Sequence, residues 1–115
     1  MVRMLKRWRD SFKDRVFLPG ENSYCEKAAF PYQHYAGRFA VKEAVSKAFG
    51  TGIGQHLGLL DIEVARDGVT GAPSVRLSAR GRRLAERMGV RSILVSLAHT
   101  RRYAVAQAIL VGSRK

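Results

Sequence analysis

Hydrophobic residues recur at spacings of three and four along two stretches of the first half of the chain, which predicts two amphipathic helices. The first covers residues 1–16, and Pro19-Gly20 is predicted to stop it. The second runs from about His34 to Phe49. Between them, residues 21–32 are predicted to form a loop with a short helical turn, because Pro31 interrupts any longer element.

Beyond residue 50 the apolar positions alternate, as they do in half-buried strands. A strand is predicted over 60–65, followed after a glycine-rich turn by a short return strand over 75–77. Ser78 is the predicted N-cap of a further helix, and Gly89 is the glycine expected to close it.

Two apolar segments complete the pattern, at 93–97 and 103–111. The link between them is short, which predicts antiparallel neighbours in one sheet. The last segment is apolar on both faces, so we expect it to be central or covered. The predicted fold is a single α+β domain over residues 1–115, with helices packed on one side of a mostly antiparallel sheet.

Charge adds the first functional indication. The 115 residues include 21 lysines and arginines against nine acidic residues, a formal net charge of +12. Such a surface attracts nucleic acid, an anionic membrane, a phosphorylated small molecule or an acidic protein. The single cysteine, Cys25, excludes an intramolecular disulfide and a cysteine-built zinc site and fits a reducing compartment such as the cytoplasm. The longest apolar segment falls far short of the about 20 residues that span a bilayer.

The second predicted helix carries a candidate site for a metal and phosphate. Phe39, Glu43 and Lys47 share one helical face because they are four residues apart. The bland interpretation is a surface ion pair between Glu43 and Lys47. However, Gly50, Gly52 and Gly54 follow at once, and glycines allow backbone N–H groups to approach phosphate closely. Glutamate oxygen is a suitable ligand for Mg²⁺, which commonly binds together with substrate phosphates.

A second candidate lies after the strand at 93–97. His99 and Thr100 follow this apolar segment, with Arg101 and Arg102 beside them. A histidine in this position is either structural, or a donor to phosphate and a shuttle for protons. No Ser/His/Asp or Cys/His arrangement is visible, so covalent nucleophilic catalysis is not expected.

These segments resemble one known family. The run from Phe39 to Gly52 matches the pattern Phe-x-x-Lys-Glu-Ala-x-x-Lys-Ala-x-Gly-x-Gly of holo-[acyl-carrier-protein] synthase, the small bacterial type of 4′-phosphopantetheinyl transferase. Residues 71–73 resemble its Gly-x-Pro turn, and residues 96–106 resemble its C-terminal Ser-His-Thr block. The resemblance extends from about residue 3 to residue 110.

The resemblance implies a fold of the 4′-phosphopantetheinyl transferase type and a reaction. Enzymes of this family transfer 4′-phosphopantetheine from coenzyme A to a serine of apo acyl carrier protein, with Mg²⁺, and release adenosine 3′,5′-bisphosphate. They support fatty acid biosynthesis in the cytoplasm and are usually homotrimers with sites between subunits. No nucleic-acid or membrane partner is implied.

The resemblance also implies roles for individual residues. Glu43 would be the metal ligand, and Glu43 and His99 would be the catalytic residues. The residues implied to bind coenzyme A are Arg38, Lys47, Gly50, Thr51, Gly52, His99 and Thr100. The basic residues implied to dock the acidic carrier protein are Arg3, Lys6, Arg7, Arg9 and Lys13.

The sequence departs from the family at its start. Family members open with a strand that carries a second metal-binding Asp, and this sequence begins within the basic helix that follows. We therefore expect weaker Mg²⁺ binding and an exposed sheet edge. A start codon placed too far downstream or a truncated chain is the expected reason, ahead of a natural inactive variant. Two alternatives remain: a basic nucleic-acid-binding module, and a non-catalytic subunit of the same fold that binds carrier protein.

Overall fold

A computed structural model describes residues 9–50, 57–100 and 102–112. The helices are α1 (Arg9–Val16), α2 (Pro19–Lys27), α3 (Pro31–Phe49) and α4 (Ala79–Met88), and a 3₁₀ turn covers Leu59–Asp61. The strands are β1 (Ile62–Arg66), β2 (Pro73–Leu77), β3 (Val90–His99) and β4 (Ala104–Gly112). Helices and antiparallel strands together confirm the predicted α+β class.

Two prolines begin helices, where the sequence pattern had predicted breaks. Pro19 is at the start of α2 and Pro31 at the start of α3, so the predicted loop over 21–32 was wrong. Proline suits the first helical position because its φ is already helical and its missing N–H has no partner there. Glu21 completes the start of α2, since its carboxylate accepts the N–H of Leu18 at 2.9 Å.

The strands form two separate antiparallel hairpins. β1 pairs with β2, with Ile62 opposite Leu77, and β3 pairs with β4, with His99 opposite Ala104. The antiparallel pairing is confirmed, and β3 is longer than predicted. The two ends of α4 are also confirmed: the hydroxyl of Ser78 accepts the N–H of Gly81 at 3.0 Å, and Gly89 is left-handed with φ 75°.

Helix α3 is the centre of the fold. Its apolar side places Val41, Val45 and Phe49 against Leu57, Ile62 and the inner faces of both hairpins. A smaller cluster joins α1, α2 and the start of α3, where the rings of Phe17 and Tyr35 lie 4.9 Å apart. No helix of the described chain combines the length and the apolar character that crossing a membrane requires.

A buried ion pair joins α2 to α3. Glu21 and Lys42 are 2% and 0% exposed, and a carboxylate oxygen of Glu21 lies 2.8 Å from Nζ of Lys42. The ammonium also donates to the carbonyl of Leu59 at 2.9 Å and to the carbonyl of Ile62. Lys42 thereby connects α3 to the segment that leads into β1.

The carboxylate of Glu21 has two further contacts with the backbone. One oxygen accepts the N–H of Leu18, and the other accepts the N–H of Val64 in β1 at 2.7 Å. Three parts of the fold therefore meet at this pair of side chains: the link between α1 and α2, the helix α3, and the strand β1. Because charges are strongly disfavoured away from water unless paired and hydrogen-bonded, each partner requires the others in place.

The outer face of the β3–β4 hairpin remains apolar and open. Leu94, Val105 and Ile109 are 57%, 62% and 60% exposed there. The prediction that the last strand is central or covered was therefore wrong for the single described chain: one face packs on α3, and the other meets solvent. An open apolar sheet face of this kind commonly marks a protein–protein contact.

We predict that Glu21→Gln lowers the free energy of unfolding by about 3 kcal/mol, because it leaves the buried ammonium of Lys42 without a counter-charge. Urea denaturation measures this loss. The matched control is Glu86→Gln, at an exposed residue of α4. Its loss is expected within about 0.5 kcal/mol. Equal losses in the two variants would contradict the assigned importance of the buried pair.

Candidate active site

The half-exposed side of α3 carries the predicted metal ligand. Phe39 and Glu43 are half-buried and Lys47 is exposed, one helical turn apart from each other. Across residues 9–50, 57–100 and 102–112, no ion pair joins Glu43 to any cation, Lys47 included. The simpler interpretation, a surface pair between Glu43 and Lys47, is therefore wrong, and no described cation neutralises the carboxylate.

The donor set fits Mg²⁺ as a site with one protein carboxylate. Among the described residues no group of three or more His, Cys, Asp or Glu side chains is placed to hold a metal. Mg²⁺ does not need such a group, because it usually binds one or two carboxylates and completes its six ligands with waters and substrate phosphates. Glu43 would hold the ion, and an anionic substrate would supply most of the remaining ligands.

Gly50 ends α3 directly beyond Lys47. Its φ of 76° and ψ of 9° are left-handed, and its N–H donates to the carbonyl of Lys47 at 2.9 Å. A Cβ at this position would meet nothing within 4 Å. Glycine is therefore required by the backbone conformation and not by crowding. Thr51 and Gly52, the other predicted ligands from this loop, lie outside the described residues.

The side chain of Arg38 is packed inside the protein and does not lie on the surface. It is buried, and its guanidinium carbon lies 4.3 Å from the centre of the Tyr24 ring. Its Nε has no hydrogen-bond partner among the residues that the structure describes. The cation–π contact ties α3 to α2. A role of Arg38 in binding coenzyme A stays a prediction.

The second candidate segment lies at the far end of β3. His99 is the last residue of that strand, and the position of its side chain lies outside what the structure describes. Thr100 is exposed, and its hydroxyl accepts the N–H of Tyr103 at 3.2 Å. This contact closes the link between β3 and β4, a local role that threonine commonly has in turns.

The two candidate segments are separated along α3. A Cβ on Gly37 would lie 3.1 Å from the side chain of Leu97, so the end of β3 lies beside the N-terminal half of the helix. Glu43 follows Gly37 by six residues, which is about 9 Å along the helix axis. Within one chain, the position of His99 and that of Glu43 are therefore not adjacent.

Lys13 was wrongly predicted to lie on an exposed docking face. It is buried, forms an ion pair with Glu26, and lies 4.9 Å from the centre of the Tyr35 ring. The end of α1 packs against α2 and α3, which turns this position inward. Of the other predicted docking residues, Arg3, Lys6 and Arg7 and the side chain of Arg9 lie outside the described part of the chain.

Sequence reasoning missed the pair Glu21–Lys42, which supports α3 on its core side, next to the side that carries Glu43. The burial of Lys42 could have been suspected from the sequence, because the residue follows Val41 on the apolar side of the helix. Glu21 gave a weaker signal, as the acidic residue two positions after a proline that can start a helix. The distance of 21 residues between them concealed their contact.

The environment of the single cysteine disfavours a nucleophilic role. Cys25 is fully buried, and this burial raises the pKa of its thiol to about 11, against a smaller opposing effect of the Arg38 charge. The thiolate is the nucleophilic form, and it is scarce at neutral pH when the pKa is this high. Cys25 is therefore not a candidate nucleophile.

Comparison of the sequence with models of protein families shows which superfamily the chain belongs to. The model of the 4′-phosphopantetheinyl transferase superfamily matches residues 2–108 of the chain. The chain belongs to this superfamily.

The individual relatives share one more specific name within this superfamily. A Ruminiclostridium cellulolyticum protein named holo-[acyl-carrier-protein] synthase is 49% identical over 100 residues, 86% of this chain and 74% of that protein. The crystal structure of Helicobacter pylori holo-[acyl-carrier-protein] synthase in complex with coenzyme A is similar with a TM-score of 0.81 and 30% identity, over 95% of this chain and 89% of that one. The Neisseria meningitidis enzyme gives a TM-score of 0.87 at 26% identity, over 96% of this chain and 87% of that one.

We predict that Gly50→Ala lowers the free energy of unfolding by about 1 kcal/mol, because alanine disfavours the left-handed conformation that ends α3. Thermal or urea denaturation measures the change. The matched control is Gly68→Ala, where a Cβ also meets nothing within 4 Å and φ is not positive. A loss at Gly68 as large as that at Gly50 would show that the backbone conformation of Gly50 is not the cause.

We also predict that Cys25 resists thiol reagents in the folded protein at pH 8. Reaction with 5,5′-dithiobis(2-nitrobenzoate) should be slow in buffer and complete within seconds to minutes in denaturing urea, because unfolding exposes the thiol and removes the burial that raises its pKa. Rapid reaction of the native protein, at the rate seen in urea, would refute the burial of Cys25.

Proposed function

We propose that this chain transfers 4′-phosphopantetheine from coenzyme A to a serine of apo acyl carrier protein. The observation that carries the proposal is the carboxylate of Glu43, which no described cation pairs and which lies one helical turn before Lys47 on the helix that the left-handed Gly50 ends. Two further findings support it: the chain belongs to the 4′-phosphopantetheinyl transferase superfamily, and relatives named holo-[acyl-carrier-protein] synthase match most of its length.

The reaction requires little covalent chemistry from the chain. The serine oxygen of the carrier protein bonds to the phosphorus next to the pantetheine arm, and the bond from that phosphorus to the pyrophosphate bridge oxygen breaks. Adenosine 3′,5′-bisphosphate leaves with that oxygen, and the serine proton passes to solvent or to a carboxylate. The nucleophile thus comes from the partner, in agreement with the buried and protonated Cys25.

The chain's contribution is to bind and to neutralise phosphate charge. Mg²⁺, when bound, would stabilise the negative charge that develops on the phosphate oxygens. Glu43 would hold this ion, and the exposed ammonium of Lys47 would lie close to the same phosphates. The backbone N–H groups that follow Gly50 would orient the pyrophosphate. His99 and Thr100 would bind the same coenzyme A from the end of β3.

We further propose a homotrimer whose sites lie between subunits. The separation of the β3 end from Glu43 along α3 favours a site built from two chains. The open face formed by Leu94, Val105 and Ile109 supplies the apolar contact that such an assembly needs. Burying this face against a second copy would also remove these three exposed apolar side chains from water.

The carrier protein would dock through the basic N-terminal segment. Acyl carrier proteins are acidic, and a net charge of +12 favours their association with this chain through electrostatic attraction. The proposed contacts are Arg3, Lys6, Arg7 and Arg9, without Lys13. The setting is fatty acid biosynthesis in the cytoplasm, with which the reduced Cys25 is compatible.

We predict that the chain, with coenzyme A and Mg²⁺, adds one phosphopantetheine to apo acyl carrier protein, as read by mass spectrometry of the carrier. Glu43→Gln should slow the transfer about 100-fold, because it removes the charged ligand of the ion. Glu86→Gln, on the exposed side of α4, is the matched control and should keep the wild-type rate. An unmodified carrier protein under all conditions would refute the function, and an undiminished rate in Glu43→Gln would refute the site.

The trimer gives a separate prediction. Ile109→Glu should convert a three-chain species into single chains, because a carboxylate cannot be buried in an apolar interface without a partner. Size-exclusion chromatography with light scattering measures the mass. Val69→Glu, at a residue that is 95% exposed in the turn after β1, serves as the control and should leave the mass unchanged. A single-chain mass for the unmodified protein would contradict the proposed assembly.

A further inference from the structure

Two lysines flank the candidate metal ligand, and the structure gives them opposite environments. Lys42 immediately precedes Glu43, and Lys47 follows it by one turn. Helical spacing places Lys47 on the face of Glu43, and by charge alone Lys42 would also be a candidate for binding phosphate. Lys47 is exposed, whereas Lys42 is 0% exposed and lies on the core side of α3.

The ammonium of Lys42 has no donor left for a ligand. A lysine ammonium has three N–H groups. In this structure they reach Glu21, the carbonyl of Leu59 and the carbonyl of Ile62. A phosphate could bind Lys42 only by displacing one of these contacts inside the core, which would leave a buried polar group without a partner.

The same contacts restrain the position of Glu43. Successive residues of an α-helix are about 100° apart around its axis, so the fixed direction of Lys42 also sets the direction of its neighbour. Rotation or sliding of α3 would break the contact with Glu21, which is itself held by the N–H groups of Leu18 and Val64. Glu43 therefore projects from a helix whose neighbouring, core-facing side is held in place by the contacts of Lys42.

We infer that Lys42 and Glu21 are positioning residues, which hold α3 so that Glu43 is presented to the metal and coenzyme A, and that Lys42 itself binds no phosphate. The catalytic part of this inference rests on the proposed function. It assigns the two lysines different roles: Lys47 acts on the ligand, and Lys42 acts through Glu43.

The test compares Lys42→Met, Lys47→Met and the double variant Glu21→Gln/Lys42→Met in the full chain. Lys27→Met, at an exposed residue near the end of α2, is the control that should match the wild type. Three quantities are measured for each protein: the urea midpoint, the kcat and KM for coenzyme A with apo carrier protein, and the affinity for coenzyme A with Mg²⁺ by calorimetry without carrier protein.

We expect the two lysine variants to change different quantities, kcat in one and the affinity for coenzyme A in the other. Lys42→Met should lower kcat about 10- to 100-fold, because a small misplacement of Glu43 suffices for such a loss. Its KM and affinity for coenzyme A should stay within about twofold of the wild type, as expected when no ligand contact is removed. Lys47→Met should weaken the affinity for coenzyme A. The double variant should recover much of the urea midpoint lost in Lys42→Met, because neither charge is then left alone, while kcat remains low.

Three results would overturn the inference. Weaker coenzyme A affinity in Lys42→Met, equal to that in Lys47→Met, would mean that Lys42 binds phosphate. Recovery of kcat together with stability in the double variant would show a role in folding alone. An unchanged kcat in a folded Lys42→Met protein would show no role at all, and if Lys42→Met does not fold, the double variant decides the same points. Failure of the unmodified chain to modify carrier protein would overturn the proposed function and the catalytic part, whereas calorimetry would still decide whether Lys42 binds phosphate.

Discussion

The position of the central helix depends on a charge pair that water does not reach. Removing a carboxylate and an ammonium from water is unfavourable by several kcal/mol for each ion. Burial accordingly lowers the pKa of Lys42, an effect that the neighbouring charge of Glu21 opposes. Such a pair is tolerated only when its remaining donors and acceptors are satisfied, and here the backbone of Leu18, Leu59, Ile62 and Val64 satisfies them. Its main effect is therefore geometric, since the contacts exist together only in one arrangement of α2, α3 and β1.

This arrangement gives α3 two sides with different tasks. The side of Val41, Lys42 and Val45 is fully buried and immobilised by apolar packing and the ion pair. The side of Glu43 and Lys47 carries a half-buried glutamate that no described cation pairs and an exposed lysine. A metal and phosphate site benefits from rigid support, because charge stabilisation is strongest when the ligands need not rearrange during the reaction. The buried pair and the carboxylate of Glu43, adjacent in sequence, thus divide support and chemistry between them.

Local patterns predicted much of the fold, and long-range contacts account for the failures. Helical spacing located α3, and Ser78 and Gly89 marked the ends of α4, because capping depends on a few neighbouring residues. The first helix ends before Pro19, as predicted, but Pro19 and Pro31 each also begin a helix, and the loop predicted between them was wrong. Proline is found both after the end of a helix and at its first position, so the residue alone does not decide between the two. Lys13 was assigned to an exposed face by its charge, but the position of α2 and α3 places Glu26 and Tyr35 beside it.

In the candidate site, too, the local spacing could be predicted from the sequence and the long-range contact could not. Spacing along α3 was sufficient to place Glu43 and Lys47 on a common side, since an α-helix has a fixed period. The partner of Lys42 lies on another helix, and no periodicity connects the two. The open apolar face of β4 could not be anticipated either, since a strand with two apolar faces predicts burial without saying whether the same chain or a second one supplies it.

The most direct test is a crystal structure of this chain with coenzyme A and Mg²⁺. We expect the metal bound to the carboxylate of Glu43 and to the pyrophosphate, with Lys47 near the phosphates and Lys42 still paired with Glu21. A pyrophosphate bound elsewhere, or one in contact with Lys42 in place of Glu21, would contradict the account.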